Sequence, residues 1–141
     1  MRQLNYYKET DKYSKILDIV NNLLNHKSSD REQLYFIKGY VYEQQYDSKN
    51  AILNYKNAIT LDNDYFDAYF NLGVLNYNSA LHYFNIANEK EQKNKSSNAT
   101  STAQNQFIIA KKYFEKANEI EPLNSEVSKI LMDINKHLNP E

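Results

Sequence analysis

Apolar side chains along the chain return every three or four residues and are separated by polar turns, the spacing of helices with one buried face. The clearest stripe is Phe70, Val74, Tyr77, Leu81 and Phe84, with a second row at Tyr69, Gly73, Ala80, Tyr83 and Ala87 beside it. Continued at that period, the pattern predicts one helix from Asp64 to about Lys93, roughly 45 Å long at 1.5 Å per residue. A second stripe, Tyr13, Ile16, Val20 and Leu24, predicts a helix near the N-terminus, preceded by a short one ending near Glu9. A third, Val127, Ile130, Leu131, Ile134 and Leu138, predicts an amphipathic closing helix after Pro122. Ser29-x-x-Glu32 has the form of a capping box, and Asp47, Asp64 and Asn124 are candidate N-caps. Residues 94–104, NKSSNATSTAQ, are small and polar and predict a turn, because such side chains compete for backbone hydrogen bonds.

An internal repeat organises these helices. The only two glycines, Gly39 and Gly73, lie 34 residues apart, each preceded by a Tyr-Phe pair, as Tyr35-Phe36 and Tyr69-Phe70. Glycine inside a helix costs about 1 kcal/mol against alanine, so both positions predict close approach by another helix. After Gly39 comes Ala51-x3-Tyr55-x2-Ala58, ending at Leu61-Asp62-Asn63; after Gly73 the same pattern returns as Ala110-x3-Phe114-x2-Ala117, ending at Pro122. The interval from glycine to first alanine is 12 residues in one unit and 37 in the other. About 25 additional residues therefore stand inside the second hairpin.

These residues resemble the tetratricopeptide repeat (TPR), in which an aromatic, a glycine and an Ala-x3-aromatic-x2-Ala helix recur, with Asn63 standing where a proline is usual. Residues 65–138 look especially similar to bacterial TPR proteins with an elongated last hairpin and a trailing helix. The resemblance implies an all-α fold, a right-handed α-solenoid of helical hairpins with a C-terminal capping helix. On this reading 1–30 is a degenerate or truncated repeat, 31–64 a full repeat, 65–124 an extended one and 125–141 the cap. It also implies a non-enzymatic protein-interaction scaffold whose first helices line a concave groove for a peptide or protein segment. With the glycine row turned toward the second helix, Phe36, Tyr40 and Glu43 of one repeat face that groove, as do Phe70, Asn71, Val74, Tyr77 and Asn78 of the next. Leu81 and Phe84 continue the stripe onto the extension, as a deeper wall or as a patch that docks another subunit. Two readings of these aromatics stand side by side: a groove for a peptide, or core packed against a neighbouring helix, with Ala103 and Phe107 covering the extension. The alternative use of the chain is as a segment of a longer solenoid or a homo-oligomer docking through that extension. Asn71 matches one asparagine by which some TPR domains hold a chaperone's terminal carboxylate. Gln33, Phe36, Tyr40, Asp67 and Phe70 supply no cation beside it, so that ligand is not expected.

Composition narrows the chemistry. Of 141 residues, 17 are basic and 18 acidic, for a net charge of -1, and neither half is basic, so phosphate-led nucleic-acid binding is not expected. The mean hydropathy of -0.81 and the absence of a stretch near 20 apolar residues exclude a membrane-spanning helix. The first fifteen residues show no secretory signal, and the lack of cysteine removes thiolate catalysis and disulfides while leaving cytoplasm and periplasm both open. His26, His82 and His137 stand at no metal-binding spacing and read as surface residues, while Asp62, Asp64 and Asp67 read as turn and capping residues. Two glycines cannot build a phosphate-binding loop or a nucleophile elbow, so no catalytic residue, cofactor or metal is assigned. The sequons at Asn94 and Asn98 read as plain loop sequence.

Overall fold

The computed structural model describes residues 2–26, 30–89 and 96–139, and those residues form six α-helices. They are α1 (Arg2–Asn25), α2 (Arg31–Gln44), α3 (Ser48–Leu61), α4 (Phe66–Asn88), α5 (Ser96–Ile120) and α6 (Ser125–Leu138). No strand occurs among the described residues. The fold is all-α and TPR-like, and the chain divides into two compact units, 1–68 and 69–141.

In the first unit, α2 and α3 form a tight hairpin whose seam is set by Gly39. A Cβ at that position would lie 2.6 Å from the Tyr55 ring, closer than real side-chain contacts allow. Tyr55 is fully buried beside Ala51, Ala58 and Val41, and its hydroxyl donates to Glu43 Oε2 at 2.6 Å. The hairpin turn is closed by Asp47, which accepts the Asn50 backbone N–H at 3.0 Å and the Asn50 side-chain amide at 2.7 Å. Those two donors, the backbone one first, hold the Asp47 carboxyl below the usual carboxylate range. The residue before it, Tyr46, has φ 60 and a side chain almost fully in solvent. On the other side α1 packs on α2, and Val20 of α1 and Leu34 of α2 are both buried. Lys38 Nζ donates to Asn21 Oδ1 at 2.7 Å, and the Arg31 guanidinium donates to the Leu24 carbonyl at 3.2 Å.

In the second unit the same seam recurs at Gly73, where a Cβ would meet the Phe114 ring at 2.8 Å. The pairs Tyr69–Tyr113 and Phe70–Phe114 lie at one level, and Tyr77–Phe107 lies further along α4 but further back along α5, so the two helices are antiparallel. Leu72, Ala80, Ala103, Phe107, Ala110, Phe114 and Ala117 are buried along this seam. Helix α6 then packs against α5, burying Val127 and Ile134, and starts at Asn124, whose side chain accepts from the N–H groups of Glu126 and Val127.

Several boundaries differ from the sequence expectation. The N-terminal segment is one 24-residue helix without a break near Glu9, since no glycine or proline interrupts residues 2–25. Helix α4 begins at Phe66, not Asp64, because the Asp62 carboxyl takes the Asp64 N–H at 3.0 Å and the Asp62 carbonyl takes the Tyr65 N–H at 3.3 Å. It ends at Asn88, giving 23 residues and about 35 Å. The expected polar turn at 94–104 is helical from Ser96 onward, so the sequon at Asn98 lies on a helix. There Thr102 satisfies its hydroxyl on the Asn98 carbonyl at 2.8 Å, while Ala99 and Ala103 are buried. Asn94 and the expected cap Ser29 lie outside the described residues, and α2 starts directly after Asp30.

Two stability predictions follow from these seams and turns. Gly73→Ala gains helix propensity but drives a methyl into a ring with no room to yield, and should lower stability by about 1–3 kcal/mol in urea unfolding. Tyr46→Gly should raise it by about 0.5–1 kcal/mol, because the left-handed conformation strains a residue with a Cβ by more than glycine's added unfolded-state entropy.

Candidate interaction surfaces

The side chains singled out on the first helix of each repeat divide into those drawn into packing and those left outside. In the first unit the Phe36 ring packs between Tyr55, at a centroid distance of 5.4 Å, and Tyr65, at 5.3 Å. Burial, then the negative charges of Asp67, Glu32 and Asp62, push the Tyr65 hydroxyl above its ordinary pKa. Glu43 is half-buried and receives the Tyr55 hydroxyl, so its carboxylate serves the hairpin. Tyr40 is 48% exposed and offers a broad aromatic surface to solvent.

In the second unit Phe70 meets the edge of Phe114 at 5.7 Å, Asn71, Val74 and Leu81 are half-buried, and Asn78 is exposed. Tyr77 and Phe84 enter a cluster that the sequence reading did not assemble. The Tyr77 hydroxyl donates to Asp133 Oδ2 at 2.5 Å, and its ring meets Phe107 at 6.0 Å. Phe84 contacts Phe107 at 6.4 Å and stands edge-on to His137 at 4.9 Å. His137 stacks on Phe107 at 4.6 Å, and its Nδ1 lies 2.9 Å from the Asp133 carbonyl and 3.4 Å from Asp133 Oδ2. A carbonyl oxygen only accepts, so Nδ1 carries the hydrogen. His137 is therefore largely covered rather than a simple surface residue, unlike His26 and His82, which are exposed.

Phe84, Asp133, Lys136 and His137 line a shallow cleft at this end of the unit. Phe107 covers the Tyr77–Phe84 stripe only in part, since Phe84 remains 37% exposed at the mouth. Asp133, Lys136 and His137 were absent from the sequence-based set because only the apolar stripe of α6 stands out in its pattern. Their spacing along one helical turn could have placed them beside Ile134, but nothing local ties them to Tyr77, 56 residues away.

Burial, then the Asp133 hydrogen bond and charge, push the Tyr77 hydroxyl up to about 12 from an ordinary 10.0. The folded state therefore holds this proton where the unfolded chain has lost it. The associated stability is fully present below pH 10 and is lost as pH rises toward 12. Urea titrations at stepped pH should show wild-type stability falling faster across that window than that of Tyr77→Phe; parallel curves would refute the assignment.

Compared with known families, residues 38–79 match the model of the TPR repeat, a stretch that contains Gly39, Ala51, Tyr55, Ala58 and Gly73. No curated protein is significantly similar to the chain.

Proposed function

We propose that this chain, which matches the TPR repeat over residues 38–79, works as a non-enzymatic protein-interaction module, holding peptide or protein segments on the exposed face of α2 in the first unit and, separately, on that of α4 in the second. The observation that carries this reading is Tyr40. It lies on the helix that carries the first unit's glycine seam, and its ring and hydroxyl give a partner broad aromatic area with a hydrogen-bonding tip. Asn78 on α4 adds an exposed amide able to pair with a peptide backbone. Phe36 and Phe70 support these faces from beneath, since their rings pack on Tyr55 and Phe114. No helix among the described residues is long and apolar enough to cross a membrane. A net charge of -1 favours recognition through shape, aromatic area and hydrogen bonds over long-range attraction.

Tyr40→Glu separates binding from folding. Its side chain points outward, so stability should change by no more than about 0.5 kcal/mol. Capture of partners from the source cells, compared by mass spectrometry with wild type, should lose specific proteins. An unchanged capture profile for a folded Tyr40→Glu, Asn78→Ala double variant would overturn the reading.

A further inference from the structure

The cleft between α4 and α6 has a chemistry of its own, and we infer that it receives a basic side chain of the bound partner, an arginine in particular. This rests on the interaction-module reading and adds to it a chemical class and a place. Three features select a guanidinium. The first is a carboxylate fixed before any ligand arrives: the Tyr77 hydroxyl holds Asp133 Oδ2 at 2.5 Å, and the His137 Nδ1 lies 3.4 Å from the same oxygen. Both contacts fall on Oδ2, so Oδ1 remains to accept from a ligand, and the Asp133 side chain is 41% exposed. The second is the aromatic wall of Phe84, braced edge-to-face by His137 at 4.9 Å and open to solvent at the mouth. A flat, weakly hydrated cation suits such a ring better than a compact ammonium.

The third is the contrast between Asp133 and the cation one turn further along α6. Lys136 also lines it and forms no ion pair among the described residues. Its ammonium rides on four rotatable bonds and is free to swing into solvent, whereas Asp133 is held in place. A preorganised charge loses less on binding than a mobile one, so the fixed carboxylate sets the preference and Lys136 only weakens it. An anionic guest would instead have to order the Lys136 chain while lying beside Asp133.

The test is a titration of the full chain, labelled with 15N, with the blocked tripeptide Gly-Arg-Gly, the same peptide carrying citrulline, and the same peptide carrying glutamate. Citrulline keeps the shape of arginine and removes its charge. The arginine peptide should shift the resonances of Phe84 and of 133–137, binding roughly fivefold more tightly than the citrulline peptide. Asp133→Asn, which still offers Tyr77 an acceptor, and Phe84→Ala should each weaken it severalfold, and Lys136→Ala should tighten it. Equal binding of arginine and citrulline, shifts confined to other residues, or tighter binding of the glutamate peptide that Lys136→Ala abolishes would each overturn the inference. If any of these occurs while the Tyr40 variant still loses partners, the interaction module stands and only its arginine cleft falls.

Discussion

The contact on which both halves of this molecule depend is an aromatic ring lying on a glycine. At Gly39 the ring is Tyr55, at Gly73 it is Phe114, and in each case even one methyl would stand within 3 Å of ring carbons. Removing the side chain lets two helices approach until the ring is fully enclosed, and Tyr55 and Phe114 have no exposed surface. The glycine's cost in helix propensity, about 1 kcal/mol, is offset by burial of a whole aromatic side chain, which contributes about 1.5–3 kcal/mol. Small alanines continue the close seam, with Ala51 and Ala58 flanking Tyr55 and Ala110 and Ala117 flanking Phe114.

That seam was legible in the sequence because its ingredients recur locally at fixed spacing. Two glycines in matching aromatic settings, each followed by Ala-x3-aromatic-x2-Ala, identify which residue meets which even though 16 residues separate one pair and 41 the other. The helical period holds along α4 and α5, so the second contact survives the change in spacing. Element ends were less legible. The run from Ser96 to Gln104 looks like a turn from its hydroxyls and amides, yet Ala99 and Ala103 give it a buried face and Thr102 folds its own hydroxyl back onto the helix. Tertiary burial overrode local polarity there. At Asp64 the reverse happened, since a side-chain and backbone bond to Asp62 consumed the groups that would have opened the helix earlier.

The candidate surface was legible as a set of positions and not as a division of labour. Phe36, Tyr40, Phe70 and Tyr77 share a helical face by spacing alone, but spacing does not distinguish a ring that reaches a neighbour from one that stops short. Phe36 finds Tyr55 and Tyr65, Phe70 finds Phe114, and Tyr40 remains half outside. The part played by α6 was invisible for a different reason. Asp133 and His137 read as ordinary polar residues of an amphipathic helix, and their meaning depends on Tyr77 and Phe107, which reach them only through folding.

Both units solve one further problem in the same way, and the solution bears on recognition. A tyrosine carried into the interior brings a hydroxyl whose desolvation costs about 1–3 kcal/mol unless it is bonded. Tyr55 meets this with Glu43 and Tyr77 with Asp133, so two of the acidic residues near the repeat faces act as internal acceptors. A charge-assisted bond of this kind is stronger than a neutral one and fixes the carboxylate as well as the phenol. At Glu43 that fixation serves the hairpin. At Asp133 the same device leaves a second carboxylate oxygen at the wall of an open cleft, so the interaction that seats α6 also supplies a positioned charge to whatever enters beside Phe84.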